Sequence, residues 1–337
     1  MIGGSGDDLL IGGDEVVAAL NNRSFVDYRD ATGGIKASLS ETSTVTGDSS
    51  VGTDTLVRID GIKGSEFDDV FVADKSFRDV LEIQRVRVPK LYDPLYEKPP
   101  PLVPRNLRFE VDERLDANGR VIQELDLKQL NEVIEKLKKV GIEAISICFL
   151  HSYVNPAHEE MVETIIKKEF PHCFVSISSK ILPQKREYER TSTTVINSYV
   201  GPPVSRYLFA LIQKLKLSNV TNRLTVMQSS GGVLDAESCL EKPAHIVECG
   251  PAAGVVGAEY IAKKSGFDNV ITLDMGGTTA KASLIEGGRY TLADEYEVGG
   301  GMSSSSALVG KGGYALKLPV IDISLLYTSP SPRARTR

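Results

Sequence analysis

Between Leu107 and residue 290 the chain alternates short apolar runs with longer amphipathic stretches, and this alternation limits the possible folds more than any other feature. "LRFEVDERLD" and "RVIQELD" flank "ANG", which predicts a hairpin turning at Asn118-Gly119. Asp126 stands where a helix cap belongs, ahead of Leu127, Leu130, Ile134 and Leu137 on one face, with Gly141 as the stop. "EAISICFL" is a continuous apolar run of strand length, the pattern of a strand covered on both faces. Asn155-Pro156 opens the next helix, and "CFVSISS" is a further strand. A long helical pattern covers residues 187–215, interrupted at "GPP", Gly201 to Pro203. "RLTVMQSSGG" runs as a strand into a glycine turn, and "AHIVECG" reads as a strand leading to a helix that begins near Pro251. Strands alternating with helices predict an α/β domain on a largely parallel sheet.

The flanks are unlike this middle. Residues 1–74 are rich in Gly, Asp, Ser and Thr, with short alternating runs such as "TLVRID". Residues 89–104, "PKLYDPLYEKPPPLVP", form a proline-rich extended connector. The last thirteen residues, "LLYTSPSPRARTR", lack periodicity and read as a non-native-looking disordered tail, residues 325–337. A length of 337 residues has room for two domains, or for one large domain with an appendage.

Charge and cysteine usage exclude several classes. A formal net charge of -6 without a basic cluster argues against a nucleic-acid or anionic-membrane partner. Cys148, Cys173, Cys239 and Cys249 form no CxxC pair and read as reduced thiols of a cytoplasmic chain. His151 and His158 are spaced too widely for an i, i+4 metal pair on one helix face. No apolar run approaches transmembrane length, and glycines and aspartates follow Met1 where a signal segment would be apolar.

"GGSGDDLLI", residues 3–11, fits the nonapeptide G-G-x-G-x-D-x-U-x, with Asp8 as its aspartate and Leu10 as its apolar position. A degenerate copy, "GSEFDDVFV", recurs at residues 64–72 with Asp69 and Phe71 in the matching places. The sequence between them is similar to the linker of RTX (haemolysin-type) calcium-binding proteins. That resemblance implies a small β-roll-like segment over residues 1–75, in which the carbonyls of Gly4 and Gly6 with Asp8 and Asp69 would ligate Ca²⁺. The alternative is a glycine-rich turn sequence without metal.

The densest chemistry lies in "VITLDMGGTTAKASLIEGG", residues 270–288. Val270, Ile271 and Leu273 lead to Asp274; Gly276 and Gly277 turn the chain; Thr278 and Thr279 open a second strand over residues 280–285. A carboxylate and two hydroxyls at a glycine tip suit a phosphate with its metal. Three other stretches accompany it. "MQSSGG" sets a polar glycine turn at a strand end, where open α/β sheets place ligands. In "CGPAAGVVGA" Gly250 and Pro251 begin a helix whose free amides would face an anion, while its small residues equally suit close helix packing. "REYERTSTTVINSYV" reads, by itself, as a solvated helix face with capping threonines.

Together and in this order, with "SFRDVLEI", "AISICFLHSYVNPAHE" and "LPVIDIS", these stretches closely resemble the hydantoinase A/oxoprolinase family over residues 76–324. The resemblance implies an actin-like ATPase (ribonuclease H-like) fold that clasps ATP between two α/β domains. It implies ATP-dependent opening of cyclic amides such as hydantoins and 5-oxoproline, with carboxylation of ketones, as in the acetone and acetophenone carboxylase subunits, as the alternative. A second, hydantoinase B-type subunit or domain is the implied partner. In that reading Asp274 holds Mg²⁺ through water, and Gly276, Gly277, Thr278 and Thr279 bind the phosphate of ATP. The family's first phosphate hairpin has no counterpart upstream of Ser76, and "DATGG" lacks the threonine. The domain is therefore expected to be incomplete, and the chain inactive alone. Many members read D-M-G-G-T-S-T-D; here Ala280 and Lys281 replace the last two residues, and Lys281 either meets a phosphate or faces solvent.

Overall fold

A computed structural model describes residues 69–75, 77–84, 100–220, 222–276, 279–298 and 313–328, preceded by the backbone of six short strands. Those six are β1 (Leu9–Ile11), β2 (Phe25–Asp27), β3 (Lys36–Ala37), β4 (Thr42–Thr46), β5 (Thr53–Val57) and β6 (Gly61–Lys63). They form a four-stranded sheet in the order β1-β5-β4-β3 and a parallel pair, β2-β6. Gly4, Gly6 and Asp8, three of the four calcium candidates, lie outside the described residues.

The fourth, Asp69, opens β7 (Asp69–Asp74), and here the structure corrects the repeat reading. β7 is no turn of a roll. It lies inside the parallel sheet β12-β11-β7-β8, between β11 (Ala144–Cys148) and β8 (Arg108–Val111), with β12 (Phe174–Ile177) at the edge. The reason is burial: Val70, Phe71, Val72 and Ala73 are all core residues, and so are Ile145 and Ile147 opposite them. Each fully buried side chain of this size contributes roughly 1.5–3 kcal/mol. The α/β unit thus takes its second inner strand from across residue 75.

Local signals place the elements around this sheet. Asp126 caps α2 (Leu127–Leu137), accepting from the backbone N–H of Lys128 at 2.9 Å and of Gln129 at 3.0 Å. Leu130, Val133, Ile134 and Leu137 face the core. Asn155 accepts from the Ala157 N–H at the start of α3 (Ala157–Glu169). The expected hairpin at Asn118-Gly119 is present but short, joining β9 (Arg114–Leu115) to β10 (Val121–Gln123), because β8 has gone to the main sheet. Gly119 takes φ 80°, where a side chain would strike Val154. A short helix, α1 (Val80–Ile83), follows β7, and α4 (Ser178–Ile181) follows β12.

The long helix α5 (Glu187–Leu217) runs unbroken through Pro202 and Pro203, where an interruption was expected. Just before the prolines Gly201 lies under the Phe174 ring, so that a Cβ there would stand 2.5 Å from it. The "REYERTSTTVINSYV" stretch is also not a solvated face. Glu189 to Ser198 are all buried, and several of their polar groups are satisfied from distant parts of the chain. Ser192 Oγ donates to the Ala315 carbonyl at 2.6 Å, and Thr193 Oγ1 accepts from the Lys317 N–H at 2.9 Å. Asn197 Nδ2 donates to Ser176 Oγ, and its Oδ1 accepts from the Ala244 N–H. Ser146 Oγ donates to Ser198 Oγ.

Beyond α5, β13 (Thr225–Met227) and β14 (Val233–Asp235) form a hairpin, followed by α6 (Ala236–Glu241). The strand expected at "AHIVECG" is a 3₁₀ turn over Pro243–Ile246, since proline at its start fixes φ and lacks the N–H a ladder needs. Helix α7 (Cys249–Lys264) follows. It packs on a second sheet made of β15 (Val270–Met275), β16 (Thr279–Glu286) and β17 (Arg289–Tyr290), with β22 (Ser324–Thr328) on the other side of β16. Short ladders join β18 (Leu292–Ala293) to β21 (Val320–Ile321) and β19 (Tyr296–Val298) to β20 (Tyr314–Leu316). β22 overturns the reading of residues 325–328 as patternless tail: they pair with Thr279 to Lys281.

Candidate functional site

The hairpin of β15 and β16 is built as expected. Asp274 lies directly opposite Lys281 and Met275 opposite Ala280, and Gly276 N–H donates to the Thr279 carbonyl at 3.0 Å. Val270, Thr272 and Asp274 share one face of β15 with Ile285, Ser283 and Lys281 of β16. Val270 and Ile285 pack there against Ala252 and Val255 of α7. The opposite face carries Ile271, Leu273, Met275 and Leu284, all exposed.

Of the five residues assigned to phosphate and metal, Gly277 and Thr278 lie outside the described residues. Asp274 and Gly276 are exposed at the tip, and Thr279 is half-buried. The Asp274 carboxylate makes no hydrogen bond or ion pair among the described residues, although a lysine stands across from it. A side chain at Gly276 would meet nothing within 4 Å, so packing does not demand glycine there. A bare backbone beside an unpaired carboxylate fits a phosphate and its hydrated metal. No three His, Cys, Asp or Glu side chains converge as a ready metal cluster among the described residues.

Lys281 does not face solvent. Its Nζ donates to Glu248 Oε2 at 2.5 Å, and the two side chains are only 15% and 20% exposed. Glu248 immediately precedes α7, and its Oε1 accepts from the Tyr296 hydroxyl at 3.0 Å. Burial, and then the Glu248 charge, push the Tyr296 phenol well above its usual range. The sequence reading missed Glu248 and Tyr296. The one local signal for Glu248 was a carboxylate at a helix start, where the dipole favours it.

The other stretches are joined to the hairpin by specific bonds. The Glu248 N–H donates to Ser229 Oγ at 3.1 Å, and the Ile321 N–H donates to the Ser229 carbonyl at 2.8 Å. Ser283 Oγ donates to the Asp322 carbonyl at 2.7 Å. "MQSSGG" is therefore the turn of the antiparallel β13–β14 hairpin, tied down at the buried Ser229, and not the end of a parallel strand. Gly231 has φ 86° and packs so closely on Tyr290 that a Cβ would lie 2.6 Å from its hydroxyl. On α7 the close-packing reading fails for Gly254 and Gly257, where a Cβ would find open space.

Two sequence models of the same family match this chain. The hydantoinase/oxoprolinase N-terminal region matches residues 26–170, and hydantoinase/oxoprolinase matches residues 190–327. The chain belongs to the hydantoinase/oxoprolinase family. The first match begins well inside the stretch read as calcium repeat, and the second ends inside the stretch read as tail. An uncharacterised protein of Methanocaldococcus jannaschii is 46% identical over 253 residues, which are 75% of this chain and 37% of that protein. The caprolactamase subunit alpha of Pseudomonas jessenii is 32% identical over 71% of this chain and 35% of its own length. The solved structure of the ATP-dependent caprolactamase from that organism superposes with a TM-score of 0.63 at 28% identity, over 77% of this chain and 36% of that one. A nucleotide-free acetone carboxylase structure superposes with a TM-score of 0.67 at 25% identity, over the same shares. The chain spans about a third of the length of these relatives. Among the described residues no helix is long and apolar enough to cross a membrane.

Proposed function

We propose that this chain contributes one phosphate-gripping hairpin to an ATP-dependent hydrolase of cyclic amides. The observation that carries the reading is the tip of β15: an exposed carboxylate with no partner among the described residues, next to a glycine whose surroundings are open. Asp274 would anchor Mg²⁺ through water. The backbone N–H groups of Gly276, Gly277 and Thr278 and the hydroxyls of Thr278 and Thr279 would meet the phosphate oxygens. Bound ATP supplies an electrophilic phosphorus that can activate a lactam oxygen; the residues of this chain position and neutralise its phosphates. The caprolactamase relative supports a cyclic-amide substrate, and its designation as subunit alpha supports a partner subunit. The likeness to acetone carboxylase supports the ketone-carboxylating alternative equally at the level of fold. Lactam-stimulated against ketone-stimulated ATP turnover by the full-length protein separates the two.

Calcium binding near the N-terminus keeps no observation in its favour, since Asp69 opens a sheet strand and the family match begins at residue 26. The test of the hairpin is calorimetry of Mg·ATP binding to the purified chain. Weak binding is expected, with Asp274→Ala lowering the affinity by about tenfold or more and no sustained turnover. Unchanged affinity in Asp274→Ala would remove the hairpin from the site.

A further inference from the structure

Asp274 and Lys281 are directly opposite residues of an antiparallel pair, on the same face of the sheet. Opposite charges so placed normally attract one another across the strands. Here they do not meet: the lysine bonds to Glu248 Oε2, and the aspartate is left exposed, without a partner among the described residues. Glu248 is well fixed for this task. Its second carboxylate oxygen accepts from Tyr296, and its N–H donates to Ser229 Oγ, whose hydroxyl donates to the His245 carbonyl at 2.9 Å. Two segments distant in sequence, at Ser229 and Tyr296, therefore hold Glu248 within reach of Lys281.

We propose that Glu248 is a positioning residue of the phosphate hairpin, holding Lys281 away from Asp274 so that Asp274 stays free to take the hydrated metal. The inference rests on the reading of Asp274 as the metal anchor. Glu248 touches neither metal nor nucleotide in this scheme; it acts through the lysine. With Glu248 neutral, the carboxylate directly across from Lys281 is that of Asp274, and an ammonium on Asp274 competes with Mg²⁺ for the same oxygens.

The test uses the full chain and calorimetry with Mg·ATP. Glu248→Gln should weaken affinity by about tenfold. Adding Lys281→Met to Glu248→Gln should restore the parent value, which a merely structural loss at α7 would not allow. Lys281→Met alone should bind as the parent chain does, and it covers the case in which Glu248→Gln does not fold. An unchanged affinity in Glu248→Gln, an affinity loss without rescue, or a loss in Lys281→Met would each overturn the proposal. Rescue by the double variant with no effect of Asp274→Ala on nucleotide binding would uphold the lysine's control of the site and instead sink the role assigned to Asp274.

Discussion

At the end of β7, Asp74 is completely buried, and its carboxyl faces that of Glu113, also buried. Asp74 Oδ2 accepts from the Leu150 N–H at 3.1 Å and lies 3.5 Å from Arg114, while Glu113 Oε2 lies 2.7 Å from His158 Nδ1. The remaining two oxygens, Asp74 Oδ1 and Glu113 Oε1, find no donor among the described groups. A proton between the carboxyls satisfies both. Burial pushes the Asp74 pKa from 3.8 up to about 7, the Arg114 charge opposing it. The folded state therefore binds more protons than the unfolded state between these two values, and stability must fall as pH rises through that window, by a few kcal/mol at most. Asp74→Asn replaces the proton with an amide N–H. Its melting temperature should exceed that of the parent at pH 8, with the difference shrinking toward pH 5; a constant difference across this range would refute the shared proton.

Among the elements, α5 decides most. Gly201 under Phe174 makes a sharp prediction, since two effects oppose each other. Alanine favours a helix interior over glycine by about 1 kcal/mol, but its Cβ would lie 2.5–2.6 Å from three ring atoms of Phe174. Overpacking of this kind costs about 1–3 kcal/mol, so Gly201→Ala should lower the urea midpoint. In a Phe174→Leu background the sign should reverse or the effect vanish. Legibility in the sequence divides along the same line. The Asp126 cap, the Asn155-Pro156 start and the strand at residues 144–148 were readable because their signals lie within a few residues. The burial of Thr191 to Ser198 was not, because Ser192 and Thr193 are satisfied by Ala315 and Lys317, more than a hundred residues on. A row of hydroxyls looks solvated until its partners are placed. The hairpin at Asp274 was readable from its glycines, and the Lys281–Glu248 pair, bridging 33 positions, was not.

For the molecule as a whole, the two sheets differ in how they are covered. The parallel sheet is enclosed, whereas the outer face of β15 and β16 exposes Ile271 at 73%, Leu273 at 64%, Met275 at 73% and Leu284 at 54%. A contiguous apolar face of this kind drives association. The chain alone should self-associate at micromolar concentration in light scattering, and Ile271→Thr with Leu284→Thr should raise the monomer fraction without lowering the melting temperature. A monodisperse parent chain would show that the face is tolerated in water.

Helix α5 also fixes how the chain can come together. Val195 belongs to the core of the parallel sheet, and its neighbour Ile196 belongs to the core that Leu182, Leu316, Leu318 and Val320 complete. Consecutive residues on one helix cannot be docked separately. Whichever core condenses first presents the helix with its other side still wet, buried hydroxyls included, and that side is quenched only when residues 315–320 arrive. Assembly therefore waits on the late sequence, and the early half of the chain carries an unfinished surface until it does.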